Sequence, residues 1–493
     1  MRLRDRARVA IIGAGPSGIV AAKHALEVGF DVTVFEASGV LGGQWDTTAA
    51  HSGVWPGMHT NTSRAMTAFS DFPPPGDHPL HPAAEQIQAY LDAYARAFGV
   101  VDHIRFNTPV EEVHPGWAVD GERFDAVVLA SGRFRKPRLP QIVDAFRGEV
   151  IHSFSYPGAQ PCRDRATLVY GNGISGLEIA SDLAPHAPVV SAFRKPRYVI
   201  QKVVDGVSSD WQWYTLFGAI ERRLLPPDEW ARRQRERIER VAGNPADFGA
   251  PEPSRDVRVA GLSLCQDYLA QVRDGSVVCR PEIASIQGRT VTFTDGSTET
   301  VDAIICATGY DVDIPYLSED VSGVIGGDLA LYQRTFNPDL WGLGVIGQFL
   351  AQGPYFPLLE LQARWIAAVW SGAVALPDET VMRRALAQPR PPLDAHNALA
   401  LTLSEELGVA PEPVDWPELC EPLLFGPMLP PRYRLSGPGA LTNARVAFAQ
   451  QLATSPRVPV EPIDVDALHE LGWHAAAAKV AASRTATAAR VRA

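Results

Sequence analysis

Two stretches of equal length decide the fold: RVAIIGAGPSGIVAAKHALEVGFDVTVFE at residues 8–36 and ATLVYGNGISGLEIASDLAPHAPVVSAFR at residues 166–194. Each has an apolar run, a GxGxxG glycine pattern, a segment that suits a helix and a second apolar run. The pattern predicts strands and helices in the following order: strand 8–12, helix 19–26, strand 31–35, then strand 166–170, helix 177–183 and strand 188–193. The same strand–turn–helix–strand unit therefore occurs twice.

The glycines of both units indicate a bound dinucleotide. In this motif the first glycine allows a tight turn, the second lets the backbone approach a pyrophosphate, and the third lets the helix pack on the strand. The pyrophosphate then lies on unpaired N–H groups at a helix N-terminus. The candidate binding residues of the two turns are Gly13, Gly15, Pro16, Ser17 and Gly18, and Gly171, Gly173, Ser175 and Gly176.

The residues that end the two units have opposite charges. Glu36 lies eighteen residues after Gly18, and Arg194 lies eighteen residues after Gly176, with Lys195 beside it. An acid at this place hydrogen-bonds ribose hydroxyls, whereas a base suits a ribose 2′-phosphate. We therefore predict two different dinucleotides, FAD at the first unit and NADPH at the second, a pairing typical of a redox enzyme.

A second internal repeat supports the duplication. FDAVVLASG at residues 124–132 and VDAIICATG at residues 301–309 are both apolar runs that end in Ala-Ser/Thr-Gly. Each run predicts a buried strand that closes a nucleotide-binding unit, with its glycine close to the cofactor. The ends of these runs add further candidate cofactor-binding residues: Ala130, Ser131, Gly132, Thr308 and Gly309.

Composition and charge narrow the class of protein. The 493 residues are 46% hydrophobic and 20% charged, which is typical of a globular chain with two or three domains. A net charge of −11 argues against a nucleic-acid partner and an anionic membrane surface. No stretch reaches the apolar length of a membrane span, and the five cysteines form no CxxC pair. We expect no metal site and a reducing, cytoplasmic compartment.

The order of the repeats predicts the domain organisation. Residues 1–160 and 301–450 are expected to form an FAD-binding domain, with the NADPH-binding domain, residues 161–300, inserted in it. The fold class is therefore α/β, with two Rossmann-like dinucleotide-binding domains.

Two charged or Ala-rich segments lie outside these repeats. Residues 228–241 predict an exposed charged helix inside a region, residues 205–255, whose role the sequence leaves open. Residues 451–493 predict a partly flexible C-terminal extension, in which residues 475–493 form a frayed helix or a disordered tail rather than an anchor.

Several motifs resemble those of flavin-containing monooxygenases. The run FRGEVIHSFSY at residues 146–156 matches the FxGxxxHxxxY motif that identifies this family. Further similar segments are GGQW at 42–45, TNTS at 60–63, SDFP at 70–73, ATGY at 307–310, FGP at 425–427 and YRLSGPG at 433–439. The resemblance covers about residues 5–450, and the chain resembles a bacterial member of this class B flavoprotein family.

The resemblance implies an NADPH- and O2-dependent monooxygenase. In this family NADPH passes hydride to flavin N5, dioxygen adds at C4a, and bound NADP⁺ protects the resulting C4a-hydroperoxyflavin until a soft nucleophile attacks it. The nucleophile is an amine nitrogen or a sulfide sulfur. The implied partners are thus a small-molecule substrate and O2, with no nucleic acid and no membrane, and the sequence is compatible with a homodimer.

The resemblance also implies roles for particular side chains. It places Asn61 beside the flavin as the catalytic residue, because its amide donates and accepts hydrogen bonds without delivering a proton. On the residues alone, an Asx turn explains Asn61 better, and only the matching TNTS context favours the catalytic role. His152 is expected to have a structural role at the junction between domains. The remaining candidate cofactor-binding residues are Gly43, Gln44, Trp45, Thr60, Thr62, Val110 and Gln348.

Two residues depart from the family pattern. Tyr156 ends the identifying motif where Baeyer–Villiger relatives typically carry Trp, which favours heteroatom oxygenation without excluding ketone chemistry. Ile174 stands where family members often have a polar residue, which predicts a drier region between flavin and nicotinamide.

Three alternatives stay open beside this function. They are a Baeyer–Villiger-type monooxygenase, an N-hydroxylating monooxygenase and a non-catalytic flavoprotein. A disulfide reductase with two dinucleotide sites is disfavoured, because the chain has no CxxC pair. The physiological substrate is not identified by any motif.

Overall fold

Two five-stranded parallel sheets dominate the structure, a computed structural model that describes residues 2–48, 52–327, 329–391, 393–454 and 462–492. The first sheet consists, from edge to edge, of Leu343–Val345, Ala126–Leu129, Arg8–Ile12, Asp31–Phe35 and Ile104–Arg105. The second sheet consists of Val277–Arg280, Val189–Ala192, Thr167–Tyr170, Ala303–Cys306 and Glu149–His152. All neighbouring strands are parallel.

The two sheets have the same internal arrangement. In each, the strand before the glycine turn lies in the centre, so Ile12 is in register with Phe35 and Leu129, and Tyr170 with Ala192 and Cys306. The strands of the second sheet all lie between residues 149 and 306, between the fourth and fifth strands of the first sheet in chain order. The predicted α/β class with two Rossmann-like units, one inserted in the other, is confirmed.

The second sheet includes strands that lie outside the residues 161–300 predicted for the second domain. Glu149–His152 and Ala303–Cys306 both lie in the second sheet, although the prediction assigned them to the first domain. The reason is that the strand ending in Ala-Thr-Gly pairs with the central strand of its own unit, and Glu149–His152 then pairs with that strand. The second sheet therefore includes strands on both sides of residues 161–300, and the domain bounds stay predictions.

Shorter sheets surround the two main ones. One is the antiparallel set Ile283–Gln287, Thr290–Phe293 and Thr298–Thr300. The others are Tyr198–Ile200 with Leu262–Leu264, Val203–Val204 with Val207–Ser208, Lys136–Pro137 with Tyr310–Asp311, Ala351–Gln352 with Asp394–Ala395, and Val113–His114 with Ala118–Val119 and Glu122–Arg123.

Helices cover the sheets and form most of the C-terminal region. Up to residue 325 they are Pro16–Glu27, Ala84–Ala97, Ile174–Leu183, Ser209–Trp213, Leu216–Leu224, Pro227–Ala242, Val257–Ala260, Tyr268–Arg273 and Glu319–Ile325. After it they are Phe356–Ser371, Glu379–Leu386, His396–Leu407, Cys420–Phe425, Ala444–Leu452, Pro462–Glu470 and His474–Arg492. In the described part of the chain, no helix is long and apolar enough to cross a bilayer.

The two segments outside the repeats are both helical. Pro227–Ala242 is the predicted charged helix, and Arg232 pairs within it with Glu229 and Glu236. Residues 475–493 were expected to form either a frayed helix or a disordered tail, and the structure has a helix at His474–Arg492. Its Val480 is buried in a hydrophobic cluster with residues of the helix Leu216–Leu224. Residues 455–461 and 493 of the predicted extension lie outside the described residues.

A buried ion network ties the C-terminal region to the first sheet. Glu360 pairs with Arg434 at 2.8 Å, and Asp71 pairs with Arg434 at 2.9 Å and with Lys23 at 2.5 Å. Burial opposes ionisation of Glu360, but the Arg434 charge holds the pKa of its carboxyl well below its ordinary value. His24 brings a ring nitrogen to the same cluster. Since two cations already neutralise the acids, the cluster is structural rather than a metal site.

Candidate functional site

The first glycine turn is sterically compressed at two of its three glycines. Gly13 has φ +104°, and a Cβ there would lie 2.7 Å from the Ala130 carbonyl oxygen. A Cβ on Gly18 would lie 1.8 Å from the Gly13 oxygen, so the helix can approach the strand only without a side chain. At Gly15 the nearest atom is the Cα of Gly43, at 3.5 Å. A Cβ at the middle glycine would therefore make only ordinary van der Waals contact.

The second turn repeats this geometry. Gly171 has φ +125° and its Cβ would lie 2.4 Å from the Ala307 oxygen, while a Cβ on Gly176 would lie 2.0 Å from the Gly171 oxygen. Nothing lies within 4 Å of a Cβ on Gly173. In both turns the middle glycine leaves the space that a pyrophosphate needs.

Both helix N-termini present free N–H groups to this space. The helices begin after Gly15 and Gly173, and neither N-cap position provides a side-chain hydrogen bond. Ala14 in the first turn differs, because its N–H donates to the Glu36 carboxylate at 2.6 Å. The remaining amides are available to an anion, which is the arrangement that binds dinucleotide phosphates.

The two charged residues after the second strands have different surroundings. Glu36 is buried and accepts further hydrogen bonds from the Ser38 N–H at 2.8 Å and the Ser38 hydroxyl at 2.9 Å. Arg194 and Lys195 are both exposed, and the Lys195 carbonyl accepts a hydrogen bond from the Asn172 amide at 2.8 Å. Glu36 is thus held in place beside the first turn by its hydrogen bonds, while Arg194 and Lys195 are exposed to solvent beside the second turn.

A cavity of about 520 Å³ opens beside the first turn. Most of the residues predicted for the first cofactor line it: Gly13, Gly15, Pro16, Ser17, Glu36, Gly43, Gln44, Trp45, Thr60, Asn61, Thr62, Val110, Ala130, Ser131 and Gly132. The structure therefore brings the GGQW and TNTS segments to the glycine turn.

The other predicted residues do not line this cavity. Gly18 lies behind the turn, and Gly171, Gly173, Ser175, Gly176, Arg194 and Lys195 belong to the second turn. Gln348 is buried behind the wall, where its Nε2 donates to the Gly132 carbonyl at 2.9 Å. Thr308 and Gly309 contact instead the segment around Arg138, whose guanidinium donates to the Thr308 oxygen at 2.9 Å.

His152 joins two segments through its ring nitrogens, and its structural role stays a prediction. Its Nε2 lies 3.0 Å from the Gly309 oxygen, and its Nδ1 accepts from the Phe154 N–H at 3.1 Å. Burial lowers the pKa of His152, so the ring is neutral and Nε2 carries the donated proton. The ring thus links the end of one strand to the glycine after its neighbour.

Asn61 lies in a loop that is held at both ends. At one end Asp210 accepts from the Ser63 N–H at 2.6 Å and from the Ser63 hydroxyl at 2.9 Å. At the other end Nδ1 of His81 lies 3.2 Å from the Thr60 oxygen. The Asn61 Oδ1 is buried and has no hydrogen-bond partner among the described residues. A buried amide oxygen without a partner indicates a missing donor.

The protonation states of the two supporting residues follow from their burial. Burial lowers the pKa of His81 to about 4, and the Lys202 charge acts in the same direction. The neutral ring donates from Nδ1 to Thr60, and its Nε2 accepts from the Ser208 hydroxyl at 3.3 Å. Burial raises the pKa of Asp210, while its hydrogen bonds from Ser208 and Ser63 oppose that rise.

Sequence reasoning missed one wall of the cavity. The unpredicted lining residues include Arg133, Phe134, Arg135, Ile200, Asp210, Trp213, Tyr214, Leu262, Leu264 and Tyr355. Several come from the region 205–255 and from residues near 262, which the motifs do not cover. Residues 133–135 directly follow the Ala-Ser-Gly run. Their position in the sequence was the one signal that could have placed them at the cavity.

The arrangement fits two dinucleotides and an organic substrate. The open middle glycines and uncapped helices suit pyrophosphates, Glu36 suits ribose hydroxyls, and Arg194 and Lys195 suit a 2′-phosphate. The Asn61 side chain lines the cavity, and an amide there suits a polar ring edge. The aromatic wall extends beyond the first turn and leaves space for a further ligand.

Comparisons with known proteins agree with this geometry. The sequence model of the family described as flavin-binding monooxygenase-like matches residues 6–391. Dimethylaniline monooxygenase (N-oxide-forming) 2 of Cavia porcellus is 30% identical over 490 residues, covering 90% of this chain and 91% of that protein. Flavin-containing monooxygenase 1 of Rattus norvegicus is 30% identical over 493 residues, covering 90% and 92%.

Solved structures share the fold. S-allyl-L-cysteine S-oxygenase from Allium sativum superposes with a TM-score of 0.62 at 24% identity, covering 92% of this chain and 99% of that one. Cyclohexanone monooxygenase from Rhodococcus sp. Phi1, bound to NADP⁺, gives a TM-score of 0.56 at 18% identity, covering 82% and 97%. Both likenesses concern the fold.

Proposed function

The chain belongs to the flavin-binding monooxygenase-like family, and we propose that it oxygenates an amine nitrogen or a sulfide sulfur of a small molecule. It is an enzyme that uses FAD, NADPH and O2. The observation that carries the proposal is the cavity beside the first turn, whose wall includes the Asn61 amide together with Thr60 and Thr62. The relatives named for N-oxide formation support nitrogen as an acceptor, and sulfur shares its character as a soft nucleophile.

FAD is assigned to the first turn. Bound there, FAD would supply the redox chemistry, namely acceptance of a hydride from NADPH and transfer of one atom of dioxygen to the substrate. The N-terminus of Pro16–Glu27 binds the pyrophosphate, Glu36 binds the ribose, and Trp45 and Val110 line the adjacent cavity. NADPH is assigned to the second turn, where Arg194 and Lys195 bind its 2′-phosphate.

Asn61 is proposed to hold polar atoms at the reacting end of the flavin. Its amide donates and accepts without changing its protonation state. Because Asp210 and His81 hold the loop at both ends, the amide has little freedom to turn away. Ile174 at the entrance to the second turn contributes an apolar side chain to the cavity and helps to exclude water.

The domain division is proposed from the sheets. The second unit extends from about residue 149 to 309, and the first unit comprises the chain before and after it. The cytoplasm is proposed as the compartment, supported by five cysteines that are all free. Homodimerisation and the lack of a membrane partner stay predictions.

A substrate panel tests the proposal. Holoenzyme is incubated with NADPH, O2 and one of N,N-dimethylaniline, methyl phenyl sulfide, a primary amine or cyclohexanone, and products are identified by mass. We expect an N-oxide and a sulfoxide. A lactone as the main product would instead establish Baeyer–Villiger chemistry, and a hydroxylamine would establish N-hydroxylation. NADPH consumption that yields only hydrogen peroxide with every compound would refute the proposal.

A further inference from the structure

The charged groups of the cavity wall are Glu36, Asp210, Arg133 and Arg135. Glu36 accepts from backbone N–H groups, and Asp210 accepts from Ser63. Arg135 is exposed. Arg133 is half-buried, and among the described residues its guanidinium has neither a carboxylate within ion-pair distance nor a hydrogen-bond acceptor. It is thus a partly desolvated cation facing a cavity.

Among the described residues, no carboxylate pairs with Arg133. Burial lowers the pKa of Arg133, the neighbouring Tyr355 opposes this shift, and the Arg334 charge adds to it. The nearby acid Asp394 is already engaged, because Arg334 binds it at 3.1 Å. A half-buried cation without a counter-ion is unfavourable, so the site gains from an incoming anion.

Arg133 lies at the aromatic part of the cavity. The ring of the next residue, Phe134, packs edge to face against the ring of Tyr355, with 6.3 Å between the ring centroids. A Cβ on Gly353 would lie 2.7 Å from the Tyr214 ring, which places Tyr214 beside the same segment. An organic ligand here would contact rings on one side and meet a guanidinium at its edge.

The dinucleotide phosphates have other partners. The two pyrophosphates are assigned to the N-termini of the helices after Gly15 and Gly173, and the 2′-phosphate to Arg194. Arg133 belongs to neither glycine turn, although it lines the same cavity as Glu36 and Tyr355. The anion for Arg133 is therefore best supplied by the substrate.

We infer that Arg133 binds a carboxylate of the substrate, so that the preferred substrates are anionic thioethers or amines. This inference rests on the proposed function and specifies its substrate class. Arg133 is a specificity residue in it: the planar guanidinium binds the two carboxylate oxygens side by side and leaves the sulfur or nitrogen directed to the flavin.

The test compares 3-(methylthio)propanoate with its methyl ester, which has the same sulfur and no charge. Dissociation constants are measured for the holoenzyme without NADPH by quenching of tryptophan fluorescence, since Trp45 and Trp213 line the cavity. We expect wild-type enzyme to bind the carboxylate about 10- to 100-fold more tightly than the ester. In Arg133→Gln the ratio should fall to about one, and Arg133→Lys should keep part of it.

Two further measurements keep the outcomes separate. The exposed Arg163, outside the cavity wall, provides the control Arg163→Gln, which should keep the wild-type ratio. A wild-type ratio near one, or equal weakening of both ligands in Arg133→Gln, would overturn the inference. A rise in the KM for NADPH that matches the loss of carboxylate binding would also overturn it, because Arg133 would then bind a dinucleotide phosphate. Failure to form sulfoxide from either compound concerns the proposed function alone, since the binding ratio needs no turnover.

Discussion

The carboxylate of Asp210 accepts two hydrogen bonds from Ser63, one from its backbone N–H at 2.6 Å and one from its hydroxyl at 2.9 Å. The Trp211 indole N–H donates to the same Ser63 hydroxyl at 3.1 Å. Ser63 is two residues after Asn61, so a side chain from the region 205–255 fixes the loop that carries the proposed catalytic amide. This contact connects the two dinucleotide-binding units at the cavity.

Asp210→Ala should uncouple the enzyme. The change leaves the buried Ser63 N–H without an acceptor, which costs about 1–3 kcal/mol, and it frees the Asn61 loop. We expect FAD content and NADPH consumption to persist, while hydrogen peroxide rises at the expense of product. The exposed Asp205→Asn is the control and should behave as wild type. Asp210→Ala with wild-type coupling would show that Ser63 does not position the loop.

Asn61→Ala should also raise hydrogen peroxide at the expense of product, because it removes the proposed catalytic amide itself. Losing one hydrogen bond at the reacting end should cost about 1–3 kcal/mol, or about one to two decades in the rate of product formation. Reduction by NADPH depends on hydride geometry and should change less. Product, peroxide and NADPH are measured together in one assay. Unchanged coupling would mean that Asn61 is only a turn residue.

Arg194→Ala should select against NADPH. Loss of a charge-assisted contact to the 2′-phosphate should raise the KM for NADPH about 10- to 100-fold and leave the KM for NADH nearly unchanged. Arg163→Ala removes an equally exposed charge and serves as the control. If the KM values for NADPH and NADH rise equally in Arg194→Ala, Arg194 does not contact the 2′-phosphate.

The middle glycines offer a matched pair of variants. Gly15 and Gly173 have φ −74° and −69°, which any residue adopts, and a Cβ fits at both positions. Gly15→Val should therefore fold and lose FAD, whereas Gly173→Val should keep FAD and lose affinity for NADPH. Visible flavin absorbance and circular dichroism are compared. A fully yellow, native Gly15→Val protein would contradict the assignment of the first turn.

Stability should fall as the pH decreases from about 6.5 to about 4. The pKa of His81 is about 4 in the folded chain, below its ordinary value of 6.5, because burial disfavours the charged ring. The unfolded chain therefore binds the proton first, so the stabilisation present above pH 6.5 is lost towards pH 4. His396, with a pKa of about 4 through burial, adds to the slope.

The variant His81→Gln should flatten this pH dependence. Thermal unfolding of the holoenzyme is followed between pH 4 and 7, with the exposed His114→Gln as the control. Gln can still donate to the Thr60 oxygen but does not titrate. An unchanged slope in His81→Gln would show that His81 is protonated equally in both states.

The sequence predicted the parts of the site that depend on local pattern. The glycine turns, Glu36 and the flanking strands follow from apolar runs and from steric needs within about thirty residues. The strand Glu149–His152 was missed because its residues are short of apolar character and it pairs with residues 303–306. Asp210 was missed because its partner Ser63 is 147 residues away. The proposed role of Arg133 could not be predicted from the sequence, because it depends on the cavity and on the lack of an acid beside Arg133 among the described residues.

Incorporation of labelled oxygen tests the central claim most directly. Holoenzyme is supplied with NADPH, isotopically labelled dioxygen and N,N-dimethylaniline or methyl phenyl sulfide, and the product mass is measured in unlabelled water. We expect one labelled oxygen atom in each N-oxide or sulfoxide, with one NADPH consumed per product. Product that contains oxygen from water, or NADPH oxidation that yields peroxide without any labelled product, would contradict it.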